Sequence, residues 1–192
     1  SPDKKIKVPM MSLRDKKTKF NYTETEKFQI LELPYSGAEL SMVILLPKED
    51  NLTELEKSLS IENLSKWKDN LRGENVDVYL PKFKYETKYF MVQDLKEMGM
   101  PTAFSRDADF SGMTGAKDLF IAAVIHQAFV EVNEEGTEAA AATAVVMRFK
   151  GKIIPAKEKT FIFNADHPFI FIIQQRETGN ILFLGRVVNP KE

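Results

Sequence analysis

An alanine-rich run that directly follows a strand-like stretch constrains this chain more than any other feature. Residues 119–132 are rich in apolar and β-branched side chains, and residues 134–144 then follow in the order Glu-Glu-Gly-Thr-Glu-Ala-Ala-Ala-Ala-Thr-Ala. Alanine favours a helix, whereas the preceding strand and the hinge-like Gly136 also permit an extended conformation. The run is therefore compatible with an exposed helix, a flexible loop or a strand, which makes it a candidate switch.

A strand conformation would give this run one face of small side chains. With a period of two residues, that face begins with Thr137, Ala139 and Ala141 and becomes larger and more apolar further along. A segment with this profile can insert between two existing strands, starting next to Gly136, without steric obstruction. The polar, basic residues 148–160 that follow indicate an exposed loop of the kind that proteases cleave.

The hydrophobic pattern of the remaining chain indicates an α+β fold in which strands dominate and helices lie in the middle. Two helices are predicted within residues 51–71, the first with a capping box formed by Thr53 and Glu56 and the second starting at Ser60. A third is predicted at residues 89–98, ended by Gly99. Strands are predicted at residues 28–35, 40–47, 76–81, 119–132, 161–163, 169–173 and 181–188.

The composition argues against several classes of function. The 192 residues have a net charge of −1, which argues against bulk attraction to nucleic acid or a membrane, and no apolar run is long enough to cross a bilayer. With no cysteine and only two histidines, the chain shows no nucleophile–base pair and no metal-ligand cluster. We predict no enzymatic activity, no cofactor and no metal site. A lone histidine such as His126 is typical of a satisfied core residue.

The glycosylation sequons bear on where the protein acts. Three are present, at Asn21, Asn51 and Asn63, whereas no hydrophobic signal region follows the first residues of the chain. The sequons favour a secreted, extracellular glycoprotein, and a cytoplasmic location is the alternative.

Three segments together resemble one protein family. Residues 124–143 closely resemble the fifth strand and hinge of inhibitory serpins, residues 164–171 with the sequence Asn-Ala-Asp-His-Pro-Phe-Ile-Phe resemble the signature that follows the reactive loop, and residues 181–190 resemble the C-terminal strand. The resemblance runs the whole length in family order, and it suits an ovalbumin-like or invertebrate secreted serpin. It implies strands of a large mixed sheet, a β-barrel-like sheet, few helices and a reactive-centre loop at about residues 134–160.

The resemblance also implies that a large part of the fold is missing from this chain. Serpins are about twice as long, so residues 1–192 correspond to the C-terminal portion of a single serpin domain. We expect a fragment, or one piece of a nicked protein whose partner is the N-terminal half. Alone, the chain should expose a wide apolar sheet face.

Family resemblance implies a suicide inhibitor of serine proteases. The protease serine attacks a bond in the loop and forms an acyl-enzyme, after which the hinge inserts as a new strand. The implied hinge residues are Glu134, Gly136, Thr137, Ala139 and Ala141. The alternatives are a non-inhibitory carrier or chaperone and an inactive fragment. Non-inhibitory members tend to carry bulky, charged or proline residues where this chain has Ala139 to Ala142.

The family's spacing implies the position of the reactive bond. If Glu134 is counted as one, the seventeenth residue is Lys150, so the bond is Lys150–Gly151 and the target is a trypsin-like protease. Arg148 and Lys152 are the alternative reactive-bond residues.

Two further residues take roles from the resemblance. Lys82 resembles the lysine that pairs with Glu134 at the top of the sheet. His126 resembles a histidine of the family's structural switch, bonded to partners in the missing half.

Overall fold

The computed structural model describes residues 6–134 and 159–191, which fall into two units. The first comprises Ser1–Phe83 with Glu131–Glu192, and the second comprises Lys84–Val130. The strands are β1 Met10–Leu13, β2 Phe20–Glu24, β3 Phe28–Pro34, β4 Leu40–Pro47, β5 Arg72–Pro81, β6 Phe83–Phe90, β7 Ile125–Val132, β8 Thr160–Asn164, β9 Phe169–Gln175 and β10 Ile181–Val187. The helices are α1 Leu52–Ser58, α2 Ile61–Asp69, α3 Val92–Glu97 and α4 Ser111–Thr114, with a 3-10 turn at Thr102–Phe104.

An eight-stranded sheet forms the first unit, and the predicted α+β class is confirmed. Its strand order is β1-β5-β2-β3-β4-β9-β10, and β8 also pairs with β5. The β5–β8 pairing is parallel, whereas the other described pairings of this sheet are antiparallel. Parallel neighbours require a long connection. Here the connection from β5 to β8 consists of the second unit and residues 135–159.

The core of the first unit lies where α1 and α2 cover β3, β4 and β9. Alternate residues of these strands point to the helices, and each such side chain contributes about 1.5–3 kcal/mol when fully buried. The buried cluster consists of Phe28, Ile30, Val43, Leu45, Leu52, Leu55, Leu64, Ile170 and Ile172. Trp67 packs against it with its ring edge-on to Phe28 at 4.8 Å between centroids.

The two helices begin at polar caps, one of which differs from the prediction. Ser60 caps α2 as predicted, its Oγ accepting from the Asn63 N–H at 3.1 Å. The predicted Thr53–Glu56 capping box is wrong: Asn51 caps α1, and its Oδ1 accepts from the Glu54 N–H at 3.2 Å. The helix starts at Leu52, so Thr53 already lies inside the first turn, where its hydroxyl is not the capping group.

The second unit contains most of the two-stranded β6–β7 sheet and the short helices. The predicted strand 119–132 begins only at Ile125, because the Ile121 N–H donates to Ala103 and the Val124 carbonyl accepts from Met91 instead of joining a ladder. The predicted helix 89–98 is also shorter, since β6 takes residues up to Phe90. Gly99, with φ +100°, ends the helical region as predicted. Among the described helices, none is long and apolar enough to span a bilayer.

Exposed apolar strands are a feature of both units, as predicted for this chain alone. In the first unit, four consecutive residues of β10 are exposed, namely Ile181, Leu182, Phe183 and Leu184. In the second unit, β6 exposes Tyr89 and Phe90, and β7 exposes Ile125 and Phe129.

Candidate functional site

Lys82 connects the end of β5 to the start of the alanine-rich run. It is the single residue between β5 and β6, and its N–H donates to the Pro9 carbonyl at 3.1 Å. The Lys82 Nζ lies 2.6 Å from Oε2 of Glu134, just after the end of β7. The structure therefore brings together the two residues for which the family resemblance implied an ion pair.

The electrostatics of this pair favour its charged form. The hydrogen bond from Lys82, together with the backbone N–H of Glu134, lowers the pKa of the Glu134 carboxyl below its ordinary value. The side chains are 41% and 62% exposed, so water screens the attraction and the pair adds little stability. The contact places Glu134 beside the corner between β5 and β6.

The described chain that follows residues 135–158 is held on β5 itself. β8 begins at Thr160, which pairs with Asn75 of β5, and the parallel ladder continues to Asn164 opposite Tyr79. Lys82 and Asn75 are seven positions apart along the chain, which is roughly 23 Å in an extended strand. Residues 135–159 join these two anchors, and a chain of that length reaches far beyond 23 Å when extended.

The remaining predicted hinge and reactive-bond residues lie outside the described part of the chain, and their roles stay predictions. These residues are Gly136, Thr137, Ala139, Ala141, Arg148, Lys150, Gly151 and Lys152.

His126 does not lie in a core in this chain, so the expectation of a buried histidine is wrong for the chain alone. The residue is exposed on β7, and its ring stacks on Tyr89 at 6.4 Å between centroids with an interplanar angle of 21°. The expected partners from the N-terminal half stay a prediction. His167, in contrast, is held on both sides: its Nε2 donates to the Pro47 carbonyl at 2.5 Å, and its Nδ1 lies 2.8 Å from Asp166.

A buried polar cluster in the first unit was missed by the sequence analysis. The Glu32 carboxylate accepts from Ser41 Oγ at 2.7 Å and from Asn21 Nδ2 at 2.7 Å, and Arg176 lies 3.6 Å away. Gln174 accepts from Lys68 Nζ at 2.8 Å at the same cavity, whose volume is about 700 Å³. The available signal was Glu32 itself, a charge within an otherwise apolar strand.

Comparisons with known proteins agree with this architecture. The family profile described as "Serpin (serine protease inhibitor)" matches residues 1–190. Leukocyte elastase inhibitor A of Rattus norvegicus is 46% identical over 195 residues, covering 97% of this chain and 50% of the relative. Leukocyte elastase inhibitor of Homo sapiens is 46% identical over 192 residues, covering 96% of this chain and 49% of the relative.

Similarity extends to an archaeal protein and to a solved structure. An uncharacterized serpin-like protein of Methanosarcina acetivorans is 48% identical over 175 residues, covering 90% of this chain and 40% of that protein. The crystal structure of uncleaved ovalbumin superposes with a TM-score of 0.80 at 32% identity, covering 99% of this chain and 46% of that chain. The chain thus spans about half the length of the curated relatives named here. From the profile match and this shared fold, we conclude that the chain belongs to the serpin family.

Proposed function

We propose that this chain is the C-terminal half of an inhibitory serpin and that residues 134–160 form its reactive-centre loop. The observation that supports this most directly is that both ends of the segment contact β5 or the residue that follows it. Lys82 holds Glu134 at one end of β5, and Asn75 pairs with Thr160 further along the same strand. Anchors of this kind present the intervening residues from a fixed frame, as a protease bait requires.

The proposed chemistry is acyl transfer to the protease. The serine hydroxyl of the protease attacks the carbonyl carbon of Lys150, an ester bond forms, and the amide to Gly151 breaks with its nitrogen leaving as an amine. The hinge then inserts as a strand, beginning at Gly136. The small side chains of Thr137, Ala139 and Ala141 favour this insertion, because they enter a packed sheet without overpacking it.

The choice of target rests on Lys150 and has one specific competitor. A lysine at the reactive bond suits the aspartate-containing pocket of trypsin-like enzymes. Two relatives at 46% identity are named leukocyte elastase inhibitors, which favours an elastase as the second candidate. An elastase has a small specificity pocket and would cleave beside a small apolar residue, such as Ala144 or Val146, rather than at Lys150.

The second proposed partner is the N-terminal half of the same serpin. The exposed apolar residues of β10 support this proposal, as does the half-length match to the relatives. A non-inhibitory carrier or chaperone and an inactive fragment are the alternative functions. The small hinge residues disfavour a carrier or chaperone. If no covalent complex with a protease forms, a carrier or chaperone and an inactive fragment are both favoured over an inhibitor.

The test is incubation of the full-length protein with trypsin and, separately, with an elastase, followed by a denaturing gel. We expect a complex with trypsin that survives denaturation, and N-terminal sequencing of the released peptide should begin at Gly151. A complex with elastase alone would assign the second target class. Cleavage without any complex would contradict inhibition and favour the non-inhibitory alternative.

Thr137→Arg tests the hinge itself, with Thr137→Ser as the matched control. Arginine would bring an unpaired cation into the sheet during insertion, so the protease should escape before it is trapped. We expect the stoichiometry of inhibition to rise several-fold for Thr137→Arg and to stay unchanged for Thr137→Ser. An unchanged stoichiometry in both variants would contradict strand insertion by this segment.

The predicted secretion with glycosylation can be tested at the sequons, two of whose amides donate hydrogen bonds within the fold. Asn21 Nδ2 donates to Glu32 Oε2 at 2.7 Å, and Asn63 Nδ2 donates to the Ser58 carbonyl at 2.8 Å. Only Asn51 is exposed, and it caps α1. A mass increase at Asn51 in the expressed protein, reversed by an endoglycosidase, would support the extracellular location. An unmodified Asn51 would favour the cytoplasmic alternative.

A further inference from the structure

The connection between β1 and β2 is displaced from the β5 ladder. β1 ends with Leu13 opposite Val78, and β2 begins with Phe20 opposite Glu74. Three residues of β5, residues 75–77, lie between these two pairings, whereas six residues, 14–19, connect β1 to β2. We call these six residues the basic bulge, since they are Arg14, Asp15, Lys16, Lys17, Thr18 and Lys19.

The conformation of the basic bulge is fixed by its one acid. Asp15 Oδ1 accepts from the Lys17 N–H at 2.9 Å, and Oδ2 accepts from Thr18 Oγ1 at 2.6 Å. These bonds hold Asp15 inside the turn and lower the pKa of its carboxyl, so it stays charged but faces its own backbone. The Arg14 guanidinium lies 5.0 Å from the centre of the Tyr79 ring. Lys16 and Lys17 are exposed, so the bulge presents their cations to solvent.

A further cation extends this surface on the opposite edge of β5. β1 and β8 both pair with Val78 and Tyr79, so they lie on opposite edges, about 10 Å apart. Lys159 immediately precedes β8, and its Nζ lies 4.2 Å from the centre of the Phe161 ring. The acids of β5 in this region, Glu74 and Asp77, are half-buried. The excess positive charge therefore lies on the bulge, within a chain whose net charge is −1.

We propose that the basic bulge is a docking surface for an acidic patch on the target protease. This inference rests on the proposed function, in which the protease binds residues close to Lys150. Lys150 precedes Thr160 by ten residues, so covalent geometry keeps the reactive bond within about 33 Å of β8. That distance is about the diameter of a small domain, so an enzyme bound to the reactive bond comes within reach of β5 and the bulge.

The shape of the surface favours a protein over a polyanion as the partner. A sulfated polysaccharide would need a longer track of cations along its length, whereas these cations, apart from Lys159, lie in one six-residue turn. Exposed charges at the rim of an interface act mainly on the rate of association, and salt screens them. The bulge should therefore accelerate encounter without changing the outcome of inhibition.

The experiment compares two variants of the full-length protein with the same change in charge. Lys16→Glu with Lys17→Glu reverses the bulge, and Lys57→Glu with Lys66→Glu is the matched control on the exposed surfaces of α1 and α2. Each protein is mixed with an anionic and a cationic trypsin isoform, and the second-order rate of loss of intact chain is measured. This rate counts complex and cleaved product together, so it reports docking even if inhibition fails. The ratio of complex to cleaved product tests the proposed function separately.

We expect the bulge variant to react roughly fivefold more slowly with the anionic isoform at low ionic strength, and the gap to close near 1 M salt. The control should match the parent, and the cationic isoform should not be slowed. Equal rates for the two variants with the anionic isoform would overturn the proposal. Retention of the same variants on a heparin column is measured as well. If the bulge variant reacts at the parent's rate but is retained less by heparin, the bulge binds a polyanion and the proposal is overturned. No loss of intact chain with either trypsin would overturn the proposed reactive bond and the docking surface with it.

Discussion

β9 and β10 are adjacent antiparallel strands of seven residues each, and their burial is opposite. β9 has the sequence Phe-Ile-Phe-Ile-Ile-Gln-Gln and is mostly buried, whereas β10 has the sequence Ile-Leu-Phe-Leu-Gly-Arg-Val and is mostly exposed. β9 lies between β4 and β10 beneath the helices, while β10 is the last strand of the sheet. Both strands are apolar, so composition alone does not decide their burial. β9 is buried because other elements of the chain pack on it, whereas most of β10 is left exposed.

Ile172→Ala in β9 should give the largest effect on stability. Ile172 is fully buried in the cluster beneath α1 and α2. Truncation leaves a cavity in a packed core, so we expect the free energy of unfolding of the full-length protein to fall by about 3 kcal/mol. Urea denaturation followed by circular dichroism measures it. A loss below about 1 kcal/mol would mean that the helix-covered face is not the main core.

Leu184→Ala in β10 tests whether the exposed strand is covered in the full-length protein. Leu184 is 57% exposed in this chain, which by itself predicts a loss of at most about 0.5 kcal/mol. If the N-terminal half covers β10, the same truncation should cost about 2 kcal/mol. We expect the larger value in the same urea experiment. The smaller value would contradict the proposed cover and preserve the contrast between the two strands.

Gly185→Ala tests the contact between the two strands. Gly185 pairs with Phe171, and a Cβ added at Gly185 would lie 2.6 Å from Cζ of that ring. We expect a loss of about 1–3 kcal/mol from overpacking. A double-mutant cycle with Phe171→Leu should recover part of this loss, because the smaller side chain leaves room for the methyl group. Strict additivity of the two losses would rule out the clash as the cause.

Lys82→Met should have the smallest effect on stability and a clear effect on one pKa. The lysine is the main cause of the lowered pKa of the Glu134 carboxyl, so removing it should raise that pKa toward the ordinary value. A lowered pKa in the folded state contributes stability above the ordinary glutamate pKa, and this contribution is lost as the pH falls through the lowered one. Carbon-13 NMR titration of Glu134 measures the shift. An unchanged pKa in the variant would contradict the ion pair.

Local sequence signals were enough to predict the elements whose hydrophobic pattern matches their burial in the structure. The helices within residues 51–71 and the start at Ser60 follow from periodicity and capping chemistry. β3 follows from an alternating pattern that ends at a proline, and β4 and β9 follow from apolar runs. The Lys82–Glu134 pair was also predicted, although only from the family resemblance. No local signal predicted that residues 119–124 bind turns of their own unit instead of extending β7, because those partners are tertiary contacts.

Long-range pairings were the other gap in the sequence-based prediction. Asn75 and Thr160 are far apart in sequence, and neither residue type indicates a parallel pairing. The register of the basic bulge, with six residues opposite three of β5, also depends on long-range pairing, because it is determined by where β1 and β2 pair with β5. The charges of residues 14–19 were visible in the sequence, but their displacement from the sheet was not.

Because of the parallel β5–β8 pairing, β8 is held in the sheet by hydrogen bonds to β5 and not only by its covalent link to β7. Of the strands after residue 159, β8 pairs with β5 and β9 pairs with β4, both of which precede β7, and β10 is held through its ladder to β9. A single backbone break between β7 and β8 therefore divides the chain into two polypeptides but leaves the eight-stranded sheet with all its strands. We expect such a nicked molecule to stay associated under native conditions and to separate into two bands on a denaturing gel.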